Sequence, residues 1–441
     1  MSSTPRFARR PRRSRLALAA LALACVVSPT LASEPRCETR GITLCIRPDA
    51  RARVVEVVLR VPAGAADEPA GAAGAAHLLE HLLLLHEPDL APVVAHGNAF
   101  VSSDATLFVA AAPPEAAIDV VAATLSVFRG VDVPPEALER ERAAILREGE
   151  GRRASPAGRL GALVREALLP GTPLGRDPIG APADIEALAL AHAVAFHAER
   201  YRADAAVLVV AGPIAPEAVR ARVEAEIGRA EARPRPARAL DPEPPAAERV
   251  ALALADPAVG APERVLAVLA RVPETPRAFA ATGLLLDYLA SGLPGAPRPE
   301  LERAATAIFR DIAFAARTLA PGWVVLEVRL SARPGTPAAA LDDLEAALRA
   351  RLAELAEGGI EAEVLARVAR RAAIRLREAD ARPVGTGVAL AHWIAAGRDL
   401  ASWRDRARIA DAVTPADTSA VARALASPHR TVAADLLPAP R

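Results

Sequence analysis

The chain reads as an α+β protein made of two copies of one sheet-and-helix unit, and three observations predict it. Short β-branched apolar runs alternate with longer helical patterns, so strands and helices must share a core. The order of elements before residue 229 recurs after residue 248, and each half closes with a helix, a short break and a strand. Between the halves, Pro234, Pro236, Pro242, Pro244 and Pro245 stand among charges, the composition of a linker. The expected organisation is therefore an N-terminal domain over 33–228, a Pro-rich linker over 229–248 and a C-terminal domain over 249–441. Each is expected to be an α/β sandwich, an antiparallel-rich sheet with helices packed on one face.

Residues 1–32 have the pattern of an export signal. Arg6, Arg9, Arg10, Arg12, Arg13 and Arg15 make a basic start, Leu16 to Val27 is apolar, and Thr30-Leu31-Ala32 ends in small residues suited to cleavage. Cys25 stands as an alternative lipid-attachment site. No later run is long and apolar enough to cross a bilayer, so no membrane-spanning segment is expected after cleavage. An exported, periplasmic chain permits disulfides, and Cys37 and Cys45 flank a turn residue, Gly41, as a hairpin bridge would require.

In the first half, a strand over Val54 to Val61 ends at Pro62-Ala63-Gly64, and a Gly/Ala loop leads into a helix over Ala75 to Leu85. Ala99 to Ala111 holds the strand-like Thr106-Leu107-Phe108-Val109, and Ala116 to Phe128 is helical. Pro134-Pro135 opens a helix whose early Glu136, Glu139 and Glu141 suit the helix dipole. Helices over Arg159 to Leu168 and Ile185 to Tyr201 follow, then a strand over Ala205 to Val210. The second half repeats the theme with strands near Val250, Arg264, Ile312 and Trp323, helices from Ala278, Pro337, Glu361 and Val388, and a last strand from Thr431 to Leu437.

With 441 residues the chain has room for two or three cores. Its net charge is +1 with the basic residues scattered, so nothing suggests a nucleic-acid surface and none is expected. Every cationic side chain apart from histidine is Arg, and Asn98 is the only Asn.

The chemistry is concentrated in His77-Leu78-Leu79-Glu80-His81. Histidines four apart on a helix point the same way, and Glu80, three after His77, shares their face. Two imidazoles with a carboxylate beside them fit a catalytic zinc site, His77 and His81 as ligands and Glu80 as general base, and H-x-x-E-H is the inverzincin order. A catalytic zinc takes a third protein ligand. Glu141 and Glu148, seven apart on one helical face, are candidates, and His86 and His96 are alternatives close to the motif. The competing reading is a surface helix with two solvated histidines.

HLLEH followed by Glu141-Arg142-Ala143-Ala144-Ile145-Leu146-Arg147-Glu148 resembles the pitrilysin/insulinase family of zinc peptidases, which includes mitochondrial processing peptidase. Gly97-Asn98-Ala99, Asp177-Pro178-Ile179-Gly180, Glu199-Arg200-Tyr201 and Val413-Thr414-Pro415-Ala416-Asp417 extend the resemblance over nearly all the chain after the leader. It implies one Zn2+ per chain, Glu148 as third ligand, Glu141 as support for the site, and an extended substrate along the sheet edge at Asn98 and Ala99. It also implies one half of a clamshell, completed by a second copy or a related half-length subunit. The family clamps the substrate carbonyl with an Arg and a Tyr; Arg303 matches the Arg, but Ala304 to Phe309 offers no Tyr. The expected activity is endopeptidase hydrolysis of peptides or unfolded segments in the cell envelope. The alternative is a non-catalytic or partner-dependent subunit of a heterodimeric peptidase.

Overall fold

A computed structural model describes residues 34–86, 88–228, 247–320, 322–382 and 384–439. The expected signal peptide and nearly all of the expected linker lie outside these residues. The first sheet has six strands, β1 (Arg36–Thr39), β2 (Thr43–Pro48), β3 (Val55–Val61), β4 (Gly97–Val101), β5 (Thr106–Ala112) and β6 (Val207–Gly212). Their spatial order is β1-β2-β6-β3-β5-β4. The second sheet has β7 (Ala247–Asp256), β8 (Glu263–Arg271), β9 (Phe309–Ala320), β10 (Trp323–Ala332) and β11 (Arg430–Pro438), in the order β7-β11-β8-β10-β9.

The repeat is visible in that order. Setting β1 aside, each sheet runs first, last, second, fourth, third strand of its half. Each has one parallel pair, β2 with β6 and β7 with β11, and is otherwise antiparallel. The added β1 forms a hairpin with β2 around Gly41, whose φ of 67° suits a residue without a Cβ. Cys37 and Cys45 face each other in that register and are joined as a disulfide.

The sequence predicts helices on one face of each sheet, and the structure adds a cover on the other. The reason is in β3, Val-Glu-Val-Val-Leu-Arg-Val, which is buried at every position. A strand apolar at successive positions has to be covered on both sides. One face of the first sheet packs on its own half's helices, with Leu44, Val57, Leu59 and Phe108 against Leu79, Leu82 and Leu83. The opposite face, with Val58, Val207 and Val209, is covered by Leu390, Ala391, Trp393 and Trp403 from the second half. The exchange is mutual: Leu160, Val164 and Leu168 of the first half lie on Val265, Ala267, Leu269 and Val432 of the second sheet. The helices Pro156–Leu168 and Gly387–Ala395 thus each serve the sheet of the other half, and the described residues form one compact unit.

Polar contacts seal the exchange. Glu56 Oε2 accepts from the backbone N–H groups of Gly385 and Gly387 at 2.9 and 3.1 Å, capping the helix Gly387–Ala395. Arg47 donates to Thr386 Oγ1 at 3.2 Å, and Arg430 donates to the Ala167 carbonyl at 2.7 Å.

One expected element divides. The helix expected over Ile185 to Tyr201 is two helices, Pro182–Ala187 and Leu190–Arg200, because Leu188 and Ala189 are extended. No Gly or Pro marks the break. Leu188 is buried, its carbonyl accepts from the Arg142 guanidinium, and His192 Nδ1 accepts from Ala189 N–H at 3.1 Å. Tertiary partners outcompete the local helical preference there.

Trp393 packs edge-on against Trp403, with ring centroids 5.7 Å apart, in the cover of the first sheet. Trp393→Ala is expected to lower stability by about 3–5 kcal/mol. Urea unfolding should show this as a lower midpoint at unchanged slope.

Candidate metal centre

The motif helix, Ala75–His86, is mostly buried. Leu78, Leu79, Leu82 and Leu83 face the core, and His77 and Glu80 are themselves only 8% and 6% exposed. The reading of two solvated surface histidines is therefore wrong. Facing this helix is the glutamate helix, Pro135–Ala154, whose Ala137, Glu141, Ile145 and Gly149 form a buried stripe at fourfold spacing. Glu148 lies at the edge of that stripe, half-exposed. Helix periodicity alone accounts for Glu141 and Glu148 turning toward the same neighbour, two turns apart.

Three ligand-type atoms converge. His77 Nε2 is 3.5 Å from Glu148 Oε2, His81 Nε2 is 3.9 Å from the same oxygen, and all three atoms lie within 4.8 Å of one another. The imidazoles meet edge to face with centroids 4.8 Å apart. A tetrahedral ion with bonds of about 2.0–2.2 Å needs ligand atoms roughly 3.3–3.6 Å apart, so this set can hold a metal ion. Glu80 Oε2 stands 3.8 and 4.0 Å from the two Nε2 atoms, beside the three ligand-type atoms.

Glu141 Oε2 lies 3.0 Å from His81 Nδ1. With the proton on Nδ1 donated to that carboxylate, Nε2 keeps its lone pair for a metal, and the ring orientation is locked. His77 Nδ1 is buried and has no hydrogen-bond partner among the described residues. Burial, then the neighbouring His81, pushes the His77 pKa down to about 4, so its ring is neutral near pH 7. Burial also pushes Glu80 up to about 7; the charges of Glu148 and Glu141 act in the same direction and His81 opposes them.

The remaining candidates are placed as follows. Asn98 and Ala99 lie on β4, the edge strand of the first sheet, with Asn98 exposed and Ala99 turned into the core. Their stretch starts at Gly97, where a Cβ would overlap the Val109 carbonyl oxygen, so only glycine lets β4 approach β5 this closely. Arg303 is exposed on the helix Pro297–Ala304, and its guanidinium pairs with Glu300, not with the site carboxylates. His96 ends the short helix Ala91–His96 and is not one of the converging ligands among the described residues; the side chain of His86 lies outside them.

Sequence reasoning missed Glu68. It is 4% exposed, and its carboxylate accepts from the N–H groups of Gly74 and Ala76 at 3.0 and 2.9 Å, at the start of the motif helix. An acidic residue ahead of a helix is a capping signal, but five loop residues, Pro69 to Ala73, separate Glu68 from Gly74 and hide it.

Two sheets of matching order, with an H-x-x-E-H helix facing a helix that carries Glu141 and Glu148, define the fold and its site. Residues 44–181 match the family model described as Insulinase (Peptidase family M16), and this match together with the relatives below supports the pitrilysin/insulinase family. It is 30% identical over 196 residues to the "Probable mitochondrial-processing peptidase subunit beta" of Schizosaccharomyces pombe, covering 42% of this chain and 43% of that protein. It is 33% identical over 174 residues to an uncharacterised zinc protease of Mycobacterium leprae, covering 37% of this chain and 38% of that one. The matched region thus spans less than half the length of these relatives. Among solved structures, a protease from Helicobacter pylori superposes with a TM-score of 0.79 at 19% identity, over 92% of this chain and 100% of that one. A peptidase M16 inactive domain from Pseudomonas fluorescens superposes at 0.73 and 17% identity, over 92% and 98%. These likenesses show the fold.

Glu141→Ala frees the His81 ring and is expected to weaken metal retention about 10–100-fold. Competition with a chromophoric chelator measures this, and unchanged affinity would remove Glu141 from the site.

Proposed function

We propose that the chain is a zinc-dependent endopeptidase that cleaves peptides or unfolded protein segments. The observation that carries the proposal is the convergence of His77, His81 and Glu148 with Glu80 alongside. Two neutral imidazoles and one carboxylate are the His2Glu donor set of zinc peptidases. When bound, zinc polarises the scissile carbonyl and acidifies the attacking water.

The chain's own residues do the rest. Glu80, held at about 7 by burial, accepts the proton of the attacking water and returns it to the leaving amine. Glu141 holds His81 in the tautomer that exposes Nε2. The outer edge of β4 offers backbone groups for an extended peptide, whose main chain can add as a further strand with little sequence preference.

A partner-dependent reading is favoured by one observation. The chain has two tyrosines, Tyr201 and Tyr288, and both are buried, at 5% and 2% exposure. Neither can reach out to clamp a substrate carbonyl, and Arg303 is engaged with Glu300. We therefore propose that a second half-length subunit, the same chain or a relative carrying an Arg/Tyr pair, completes the enzyme. The likeness to a mitochondrial-processing peptidase beta subunit supports a heteromeric arrangement. The basic and apolar leader together with the Cys37–Cys45 bridge supports work in the cell envelope.

Glu80→Gln is expected to abolish peptide turnover while zinc stays bound, and Glu148→Gln to lose zinc on dialysis. Metal analysis beside a peptidase assay, with and without the partner subunit, separates the two effects; wild-type turnover in Glu80→Gln would sink the mechanism. The pH dependence has a definite sign. A base that works deprotonated loses activity as pH falls through its pKa, and a nearby dication lowers that pKa. The acid limb of kcat/KM in the wild-type chain should thus inflect at or below about pH 7. An inflection well above that would mean a different base.

A further inference from the structure

We infer that Glu68 is a positioning residue for the metal centre, acting through the first turn of the motif helix that carries His77. The inference rests on the metal-binding reading above and deepens it.

Three separate segments meet at the start of that helix. Glu68 spans it from the loop side, with Oε2 on Gly74 N–H and Oε1 on Ala76 N–H. From a separate segment, Arg176 donates to the Glu68 backbone carbonyl. Between them, Gly74 has a φ of 89°, and a Cβ there would overlap Ile185 Cδ1. Gly180 closes over the same point, where an added Cβ would come within 3.2 Å of Gly74 Cα. The helix therefore starts at one place and in one direction.

His77 is the residue directly after Ala76, still in the first turn, where backbone N–H groups have no partners within the helix. Terminal turns fray when those donors are unpaired. If Ala76 moves, the ring of His77 moves with it, and Nε2 leaves the 3.5 Å approach to Glu148. Among the described residues His77 Nδ1 makes no hydrogen bond, whereas His81 is braced by Glu141. The backbone clamp from Glu68 takes the place of the missing ring contact.

A capping carboxylate also stabilises any helix, so the test needs a second cap of the same kind, on a helix across the first sheet from the motif helix. Glu56 is that control: buried, with two backbone N–H groups on its carboxylate, at the start of the helix Gly387–Ala395. Zinc dissociation constants are measured by chelator competition on the full chain for wild type, Glu68→Gln, Glu68→Ala and Glu56→Gln, together with the melting temperature of each metal-free protein. The expected result is zinc binding weakened about 10–100-fold in Glu68→Ala, less in Glu68→Gln, which keeps one acceptor. Glu56→Gln is expected to melt lower yet bind zinc as wild type does. Wild-type zinc affinity in a Glu68→Ala chain of native circular dichroism would overturn the inference, as would equal weakening in Glu56→Gln. A wild-type chain that takes up no zinc would refute the metal reading itself, an outcome the first column of the same titration reveals.

Discussion

The structure depends on sheets that are apolar on both faces. Strands such as β3 and β6 are buried at every position, so neither half can satisfy its sheet with its own helices alone. Each half lends the other a helix, and the halves become one body. That matters for the site, because the motif helix rests on a sheet whose reverse side is fixed by the distant Trp393 and Leu390. A rigid floor under His77 and His81 is what lets distances of a few ångströms be held against a second helix some sixty residues further along.

The site is electrostatically incomplete by itself. Two imidazoles and three carboxylates are packed into one partly desolvated volume. Burial drives His77 toward its neutral form, and burial and the neighbouring carboxylates do the same to Glu80. A dication among them would reverse the penalty on the carboxylates and use the imidazole lone pair that burial keeps free. The same imbalance separates this cluster from the many other ion pairs of the chain, such as Arg264 with Glu345 and Asp435, where each buried charge already has an opposite neighbour.

Much of this was legible from residue order. H-x-x-E-H is a helical spacing, and its three polar side chains had to share a face wherever the helix lay. Glu141 and Glu148 likewise had to share a face of their own helix. The repeat could be read as well, since the strand order of the second sheet copies that of the first. What could not be read were contacts made between segments far apart in sequence: the break at Leu188, made by Arg142; the role of Glu68, made by a loop folding back; and the burial of both tyrosines.

By itself, then, the sequence determined the local geometry, namely which elements form, which side chains lie on one helical face and that the two halves are copies, because these follow from periods of two and 3.6 residues. Only the tertiary structure decided that the motif helix is buried, that it meets the glutamate helix with Glu148 toward the histidines and Glu141 behind His81, and that each sheet borrows its second cover from the other half. Those outcomes turn on which surfaces exclude water together, and burial is a property of the whole packed chain that no short window of residues contains.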